Sequence, residues 1–143
     1  MMRAWWFVTG LAALAACIDG TDPAAPNGKQ LSIVEAGSAG GLPSGLMVAD
    51  TVRAGLVTIR FHSFGSSSCN RPDSEDVASD ATSVTITAYD KYVPPNTVCT
   101  ADFGSHPRDV MVSVPAGTVA IRVKGKGLGG VAATVTKTIV ALP

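Results

Sequence analysis

The chain has 143 residues, of which 46% are hydrophobic and only 15% charged, against roughly 25% charged in an ordinary soluble domain. Eleven Lys and Arg balance eleven Asp and Glu, which excludes an electrostatic nucleic-acid binder, because such a protein needs a basic surplus to displace counterions. Fifteen glycines, nine prolines and few aromatics, with abundant Val and Thr, point to a single domain of strands and turns.

The N-terminus is Met1-Met2-Arg3, followed by an apolar run from Ala4 to Ala16 and then Cys17. One positive charge ahead of about a dozen apolar residues is the layout of a secretory signal. The run is too short for a bilayer-spanning helix, which takes about 20 residues. Trp5 and Trp6 both fall inside it, so a chain that loses this segment has no tryptophan. Losing Arg3 leaves that chain with ten bases against eleven acids. From Ile18 to Gln30 the sequence is rich in Asp, Pro, Ala and Gly without periodicity, and residues 17–30 read as a tether.

From Leu31 the texture changes, and residues 31–143 are expected to form the domain. Leu31, Ile33 and Glu35 alternate with Ser32, Val34 and Ala36, a first strand; residues 37–45 read as a loop, 46–49 as a short apolar run and 50–55 as a turn. Val57, Ile59 and Phe61 alternate with Thr58, Arg60 and His62, the pattern of a half-buried strand. Residues 65–73 read as loop. Val84, Ile86 and Ala88 alternate with Thr85, Thr87 and Tyr89; residues 91–104, with Pro94-Pro95, form a long connection. Val110, Val112 and Val114 share one face, as do Val119, Ile121 and Val123 after a turn at 115–117. Gly125 to Gly130 is a hairpin tip, and 131–142 is a closing strand. About seven short strands at this spacing, without a helix, predict an all-β fold: a single antiparallel Greek-key β-sandwich.

Leu14-Ala15-Ala16-Cys17 resembles the lipobox of bacterial lipoproteins. The resemblance covers this segment alone. It implies cleavage before Cys17, a diacylglyceryl group on its sulfur, and further acylation of the new amine by a chain of the palmitate class. Two or more acyl chains suffice for stable anchoring, whereas one is marginal. The resemblance thus implies a membrane partner through a lipid anchor and residence in the bacterial cell envelope. With Ile18 rather than an aspartate directly after the cysteine, the outer membrane is favoured where the organism has two. With Cys17 assigned to the anchor, Cys69 and Cys99 remain, and two cysteines in an oxidising compartment read as one disulfide. The rival reading is a metal pair with His62 or His106, for which no close ligand spacing exists.

The strand pattern and the length of about 110 residues resemble small immunoglobulin-like domains of bacterial surface lipoproteins. The antibody-type core tryptophan is absent, and Thr97 stands where a tyrosine would precede the second cysteine. Both cysteines fall at strand ends or in loops, so the bridge is expected to staple two loops at one end.

No nucleophile, base and oxyanion set converges in this sequence. Gly65-Ser66-Ser67-Ser68-Cys69 lacks the closing glycine and the helix of a nucleophile elbow, and Lys124-Gly125-Lys126-Gly127 lacks phosphate-loop spacing. Asp73, Glu75, Asp76 and Asp80 form an acidic stretch read as loop; it is either a solvated segment or a calcium site. Arg60, Arg71, Arg108 and Arg122 are expected to pair with Asp73, Asp90, Asp102 or Asp109, weakly if at the surface. Tyr89, Tyr92, Phe103 and Arg108 are the candidate binding surface within the segment Cys69 to Arg108; the aromatics could equally cover the open end of the core. The expectation is a monomeric, non-enzymatic, lipid-anchored module without a cofactor, binding an envelope protein or surface ligand or serving structurally. The alternative is a periplasmic metal-binding or carrier protein using His62, His106 or the acidic loop 73–80.

Overall fold

The computed structural model describes residues 28–35 and 45–143, so the signal-like segment, Cys17, most of the tether and all but the last residue of the predicted loop at 37–45 lie outside the described residues. Within them are ten strands and no helix: β1 (Lys29–Leu31), β2 (Ile33–Glu35), β3 (Leu46–Met47), β4 (Thr51–Arg53), β5 (Gly55–Gly65), β6 (Pro72–Ser79), β7 (Ser83–Lys91), β8 (Gly104–Val114), β9 (Gly117–Gly127) and β10 (Ala132–Leu142). The all-β class is as expected, but the strand number is higher than seven. The predicted first strand is two, broken at Ser32; the predicted turn at 50–55 contains β4; and the acidic segment read as loop is β6. Lys29 and Gln30, assigned to the tether, belong to β1, opposite Lys91 and Asp90.

β6 escapes sequence reading because it lies at an edge, hydrogen-bonded along β7 only, with both faces largely solvated. No apolar face is required there, so no period-two signal exists. Charges on an unpaired edge also discourage strand addition from other chains.

All ten strands join one continuous hydrogen-bonded sheet. β6 pairs antiparallel with β7, β7 parallel with β9, and β9 antiparallel with β10, which carries β4 in parallel. β8 and β3 flank β5, both antiparallel. The two groups are linked where β1 pairs with β7 and β2 bonds to both β9 and β5. A purely antiparallel sheet is therefore not what forms. The chain leaves β7, builds β8 against β5, and returns to lay β9 beside β7 in the same direction.

Period-two alternation makes the core. Ile59 and Phe61 of β5, Val110, Val112 and Val114 of β8, Val84, Ile86 and Ala88 of β7, Val119, Ile121 and Val123 of β9, and Ile139 and Ala141 of β10 form one buried cluster with Val34. Removing these side chains from water is the main drive for the fold. Where the β1–β2 segment crosses β9, Lys126 N donates to Ser32 O at 2.8 Å. Gly125 permits the crossing: a Cβ there would stand 2.4 Å from the same carbonyl oxygen.

The β6–β7 turn is organised by Asp80. Its Oδ1 accepts from the backbone N–H groups of Thr82 and Ser83, both at 2.8 Å, and its Oδ2 from the Ser83 hydroxyl at 2.7 Å. This is the side-chain mimicry of a turn that Asp and Asn favour. The Ser83 hydroxyl and the Thr82 amide and hydroxyl hold the carboxyl down at about 2. A carboxyl depressed in the folded state stabilises above its unfolded value of 3.8, and that stabilisation is lost as pH falls through about 2. Asp80→Asn is expected to lower the unfolding midpoint at neutral pH and to converge with the parent in acid, as acid and urea titrations would read. A midpoint unchanged at neutral pH would contradict it.

Candidate functional site

β7 and β9 run parallel, so the connections after Lys91 and after Gly127 leave at the same end. Gly65 at the end of β5 leads through residues 66–71 directly into β6, whose first residue lies opposite Asp90. The segments 66–71, 92–103 and 128–131 therefore gather at one end of the strands.

Two of these segments are bonded covalently. Cys69, in the first, and Cys99, in the second, form the expected disulfide, with Cα atoms 5.6 Å apart. Around it, Thr100 N donates to Ser68 Oγ at 2.9 Å and Ser67 N to Asp102 Oδ2 at 3.1 Å. The Thr100 hydroxyl also donates to Asp102, and together these donors hold its carboxyl below the usual carboxylate range. Within 66–71, Asn70 N donates to Ser66 O and Ser66 N to Asn70 Oδ1; Gly65, at φ 137°, leaves room for the Asn70 side chain where a Cβ would collide at 2.2 Å. In the longer segment Thr97 N and Oγ1 both donate to Pro94 O around Asn96, whose φ is 68°. Proline followed by a residue of positive φ suits a type II turn. The result is an end loop fixed by a covalent bond and a hydrogen-bonded turn.

The loop presents apolar groups to solvent. Val98 is 93% exposed, and Tyr92 and Phe103 are nearly half exposed. Phe103 also stacks on Phe64 at 6.5 Å between ring centroids. Phe64 is fully buried and lies between β2 and β8, opposite Ile33 and Ser105. Leu128 and Val131 add exposed apolar groups from the β9–β10 turn. Phe103 thus packs on one buried ring while nearly half of its own surface stays exposed.

Beneath this end lies a buried ionic cluster that corrects the placement of Arg108 on the binding surface. Arg108 is 4% exposed. Its position on β8 shares the core-facing parity of Val110, Val112 and Val114, opposite Phe61, and the guanidinium lies 5.7 Å from the Phe61 ring. All five of its N–H donors are used. Nε donates to Glu75 Oε1 at 2.7 Å; NH1 to Ser32 Oγ at 2.8 Å and Asp90 Oδ1 at 3.3 Å; NH2 to the carbonyls of Ser74 and Tyr89 at 2.9 and 3.0 Å. The Ser32 hydroxyl in turn donates a hydrogen bond to Asp90 Oδ1 at 2.6 Å. One side chain thus ties β8 to β6, to β7 and to the β1–β2 junction. Burial pushes the Asp90 carboxyl up, opposed by the Ser32 hydroxyl, the Arg108 charge, Asn70 and His106. Ser63 Oγ and His106 Nε2 are buried nearby without a hydrogen-bond partner among the described residues.

Tyr89 lies half-buried on β7, with Lys29 Nζ 5.8 Å from its ring centroid. It belongs to the β6–β7 side rather than to the end loops. Burial and the neighbouring Asp76 carboxylate push its phenol up. The four acidic residues do not converge: Glu75 meets Arg108, Asp73 lies 3.8 Å from Lys29, and Asp80 makes its turn. His62 stands opposite Pro107 and His106 opposite Ser63, so the two imidazoles leave opposite faces of the β5–β8 pair. No group of three or more His, Cys, Asp or Glu is placed to hold a metal among the described residues. Of the expected Arg–Asp pairs, Arg108–Asp90 is buried, whereas Arg60–Asp109 is an exposed bidentate pair with both contacts at 2.6 Å.

The chain matches no protein-family model, no curated protein and no solved structure. The stapled end and the cluster beneath it must therefore be interpreted from their own chemistry.

Proposed function

We propose that the protein is a lipid-anchored module of the bacterial cell envelope that binds rather than catalyses, attached through acylated Cys17 and folded as an immunoglobulin-like Greek-key β-sandwich. The sandwich reading is supported by a core cluster drawn from both strand groups, β5 with β8 and β7 with β9 and β10. The observation that carries the binding role is the stapled end. A connection held by the Cys69–Cys99 bridge keeps Val98, Tyr92 and Phe103 exposed. Apolar and aromatic side chains on a pre-ordered loop can bind with little further loss of conformational freedom. Arg108 and Asp90 serve this role indirectly, by holding β8 and β7 where the connection springs from them.

The test is intact mass on protein taken from native membranes, before and after reduction and alkylation. The expected result is a chain lacking residues 1–16, carrying acyl chains, with no alkylated thiol until reductant is added. An unacylated mass would remove the anchor, and thiols that alkylate without reductant would remove the staple.

A further inference from the structure

We infer that the stapled end is a bilayer-contact surface, with the tip of the 92–103 connection and the β9–β10 turn seated in the headgroup region of the membrane that holds Cys17. The inference rests on the acylated Cys17 of the preceding reading and names the partner of that same surface.

Three observations point this way. The chain enters the folded body at this end: Tyr92 N donates to Gly28 O at 3.1 Å, and Lys29 lies opposite Lys91. Only ten residues lie between Cys17 and Gly28, and the eleven steps joining the two span at most about 40 Å. An eleven-residue strand such as β5 is itself about 35 Å long. The opposite end could approach the bilayer only if that segment ran almost fully extended along the body, whereas the near end reaches it by any path.

The second observation is composition. Tyr92, Val98, Phe103, Leu128 and Val131 are all exposed here, an apolar and aromatic set on loop tips. Tyr92, an apolar ring with a polar hydroxyl, is suited to a membrane interface, and the other four supply apolar surface beside it. Arg71 and Lys91 are exposed at the same end and can meet lipid phosphates, while Asp102 is occupied by the Thr100 hydroxyl and the Ser67 amide. The third is rigidity. The bridge and the Pro94–Thr97 turn hold the tip in shape, so entering the interface orders little.

The experiment uses the full chain with its own N-terminus, produced in a bacterial host and reconstituted into phosphatidylcholine–phosphatidylglycerol vesicles with brominated acyl chains. Trp5 and Trp6 are replaced (W5F/W6F) so that each probe is the lone indole. One chain carries V98W, at the stapled end; the other carries L56W, near the start of β5, whose residue is 76% exposed. Intact mass is recorded for both. The expected result is an acylated chain in which the V98W emission shifts to the blue and is largely lost in brominated vesicles, while the L56W emission is unchanged. An acylated chain in which V98W is not quenched overturns the inference and leaves the anchor standing. Shielding of V98W from aqueous iodide in native envelopes, without quenching in vesicles, assigns the surface to a protein partner and equally overturns it. A chain without acyl groups removes the anchor reading and the inference together.

Discussion

Replacing Arg108 with methionine is expected to lower stability by about 3–5 kcal/mol, the usual consequence of deleting one partner of a buried ion pair. The cause is less the lost attraction than what stays behind. Asp90 is fully buried and would lose its nearest positive charge while keeping the Ser32 hydroxyl as a donor, and the carbonyls of Ser74 and Tyr89 and the Glu75 carboxylate would each lose a donor. Arg108→Lys retains charge but not the fork that serves five acceptors from one planar group, and is expected to recover only part of the loss.

The pH dependence has a definite sign. Burial already pushes the Asp90 carboxyl above its ordinary 3.8. A group raised in the folded state contributes stability that is full below the unfolded value and lost as pH rises through the folded one. Without Arg108 the folded value climbs further, so the deficit of the Arg108→Met protein should narrow between about pH 7 and about pH 4. Urea unfolding at both values measures it. A loss below about 1 kcal/mol, the range of exposed pairs, or one independent of pH, would show that the cluster does not join β8 to β6 and β7 in the way its geometry indicates.

Removing the bridge by C69S/C99S is expected to cost about 3.5 kcal/mol, from the chain-entropy relation for a separation of 30 residues. For a domain of this size that corresponds to a melting midpoint lower by about 15 °C. The effect should be uneven. The long strands β5, β7, β8, β9 and β10 keep their ladders and core, whereas residues 92–103 keep mainly the Thr100–Ser68 and Asp102–Ser67 hydrogen bonds. Amide exchange should therefore accelerate in that connection well before it does in the strands. A midpoint unaffected by the double substitution, or exchange that rises uniformly, would rule out a local staple.

What could be read in the chain depended on whether a residue's position was set by its neighbours in sequence or by distant ones. Val84, Ile86 and Ala88, or Val119, Ile121 and Val123, declare a strand because each is buried on one side and solvated on the other. β6 and β4 declare nothing, because edge position is a property of the sheet. Two signals for the ionic cluster were present. Arg108 continues the core parity of Val110, Val112 and Val114, and Asp90 that of Val84, Ile86 and Ala88. Charged residues on a core-facing parity imply a buried pair, yet a list of Arg and Asp residues cannot say which acid meets which base.

By itself, then, the sequence determined the all-β class and the inward faces of the central strands, because alternation is local; three cysteines allow three pairings, and Cys69 with Cys99 followed only once the lipobox resemblance had set Cys17 aside. The Leu14-Ala15-Ala16-Cys17 motif bears on attachment and stands outside the described residues. Only the tertiary structure decided the parallel placement of β9 on β7, the break at Ser32, and the burial of Arg108 between three parts of the chain. Ser32 and Arg108 are 76 residues apart. Contacts of that separation follow from how the strands are ordered in space, which no local pattern specifies.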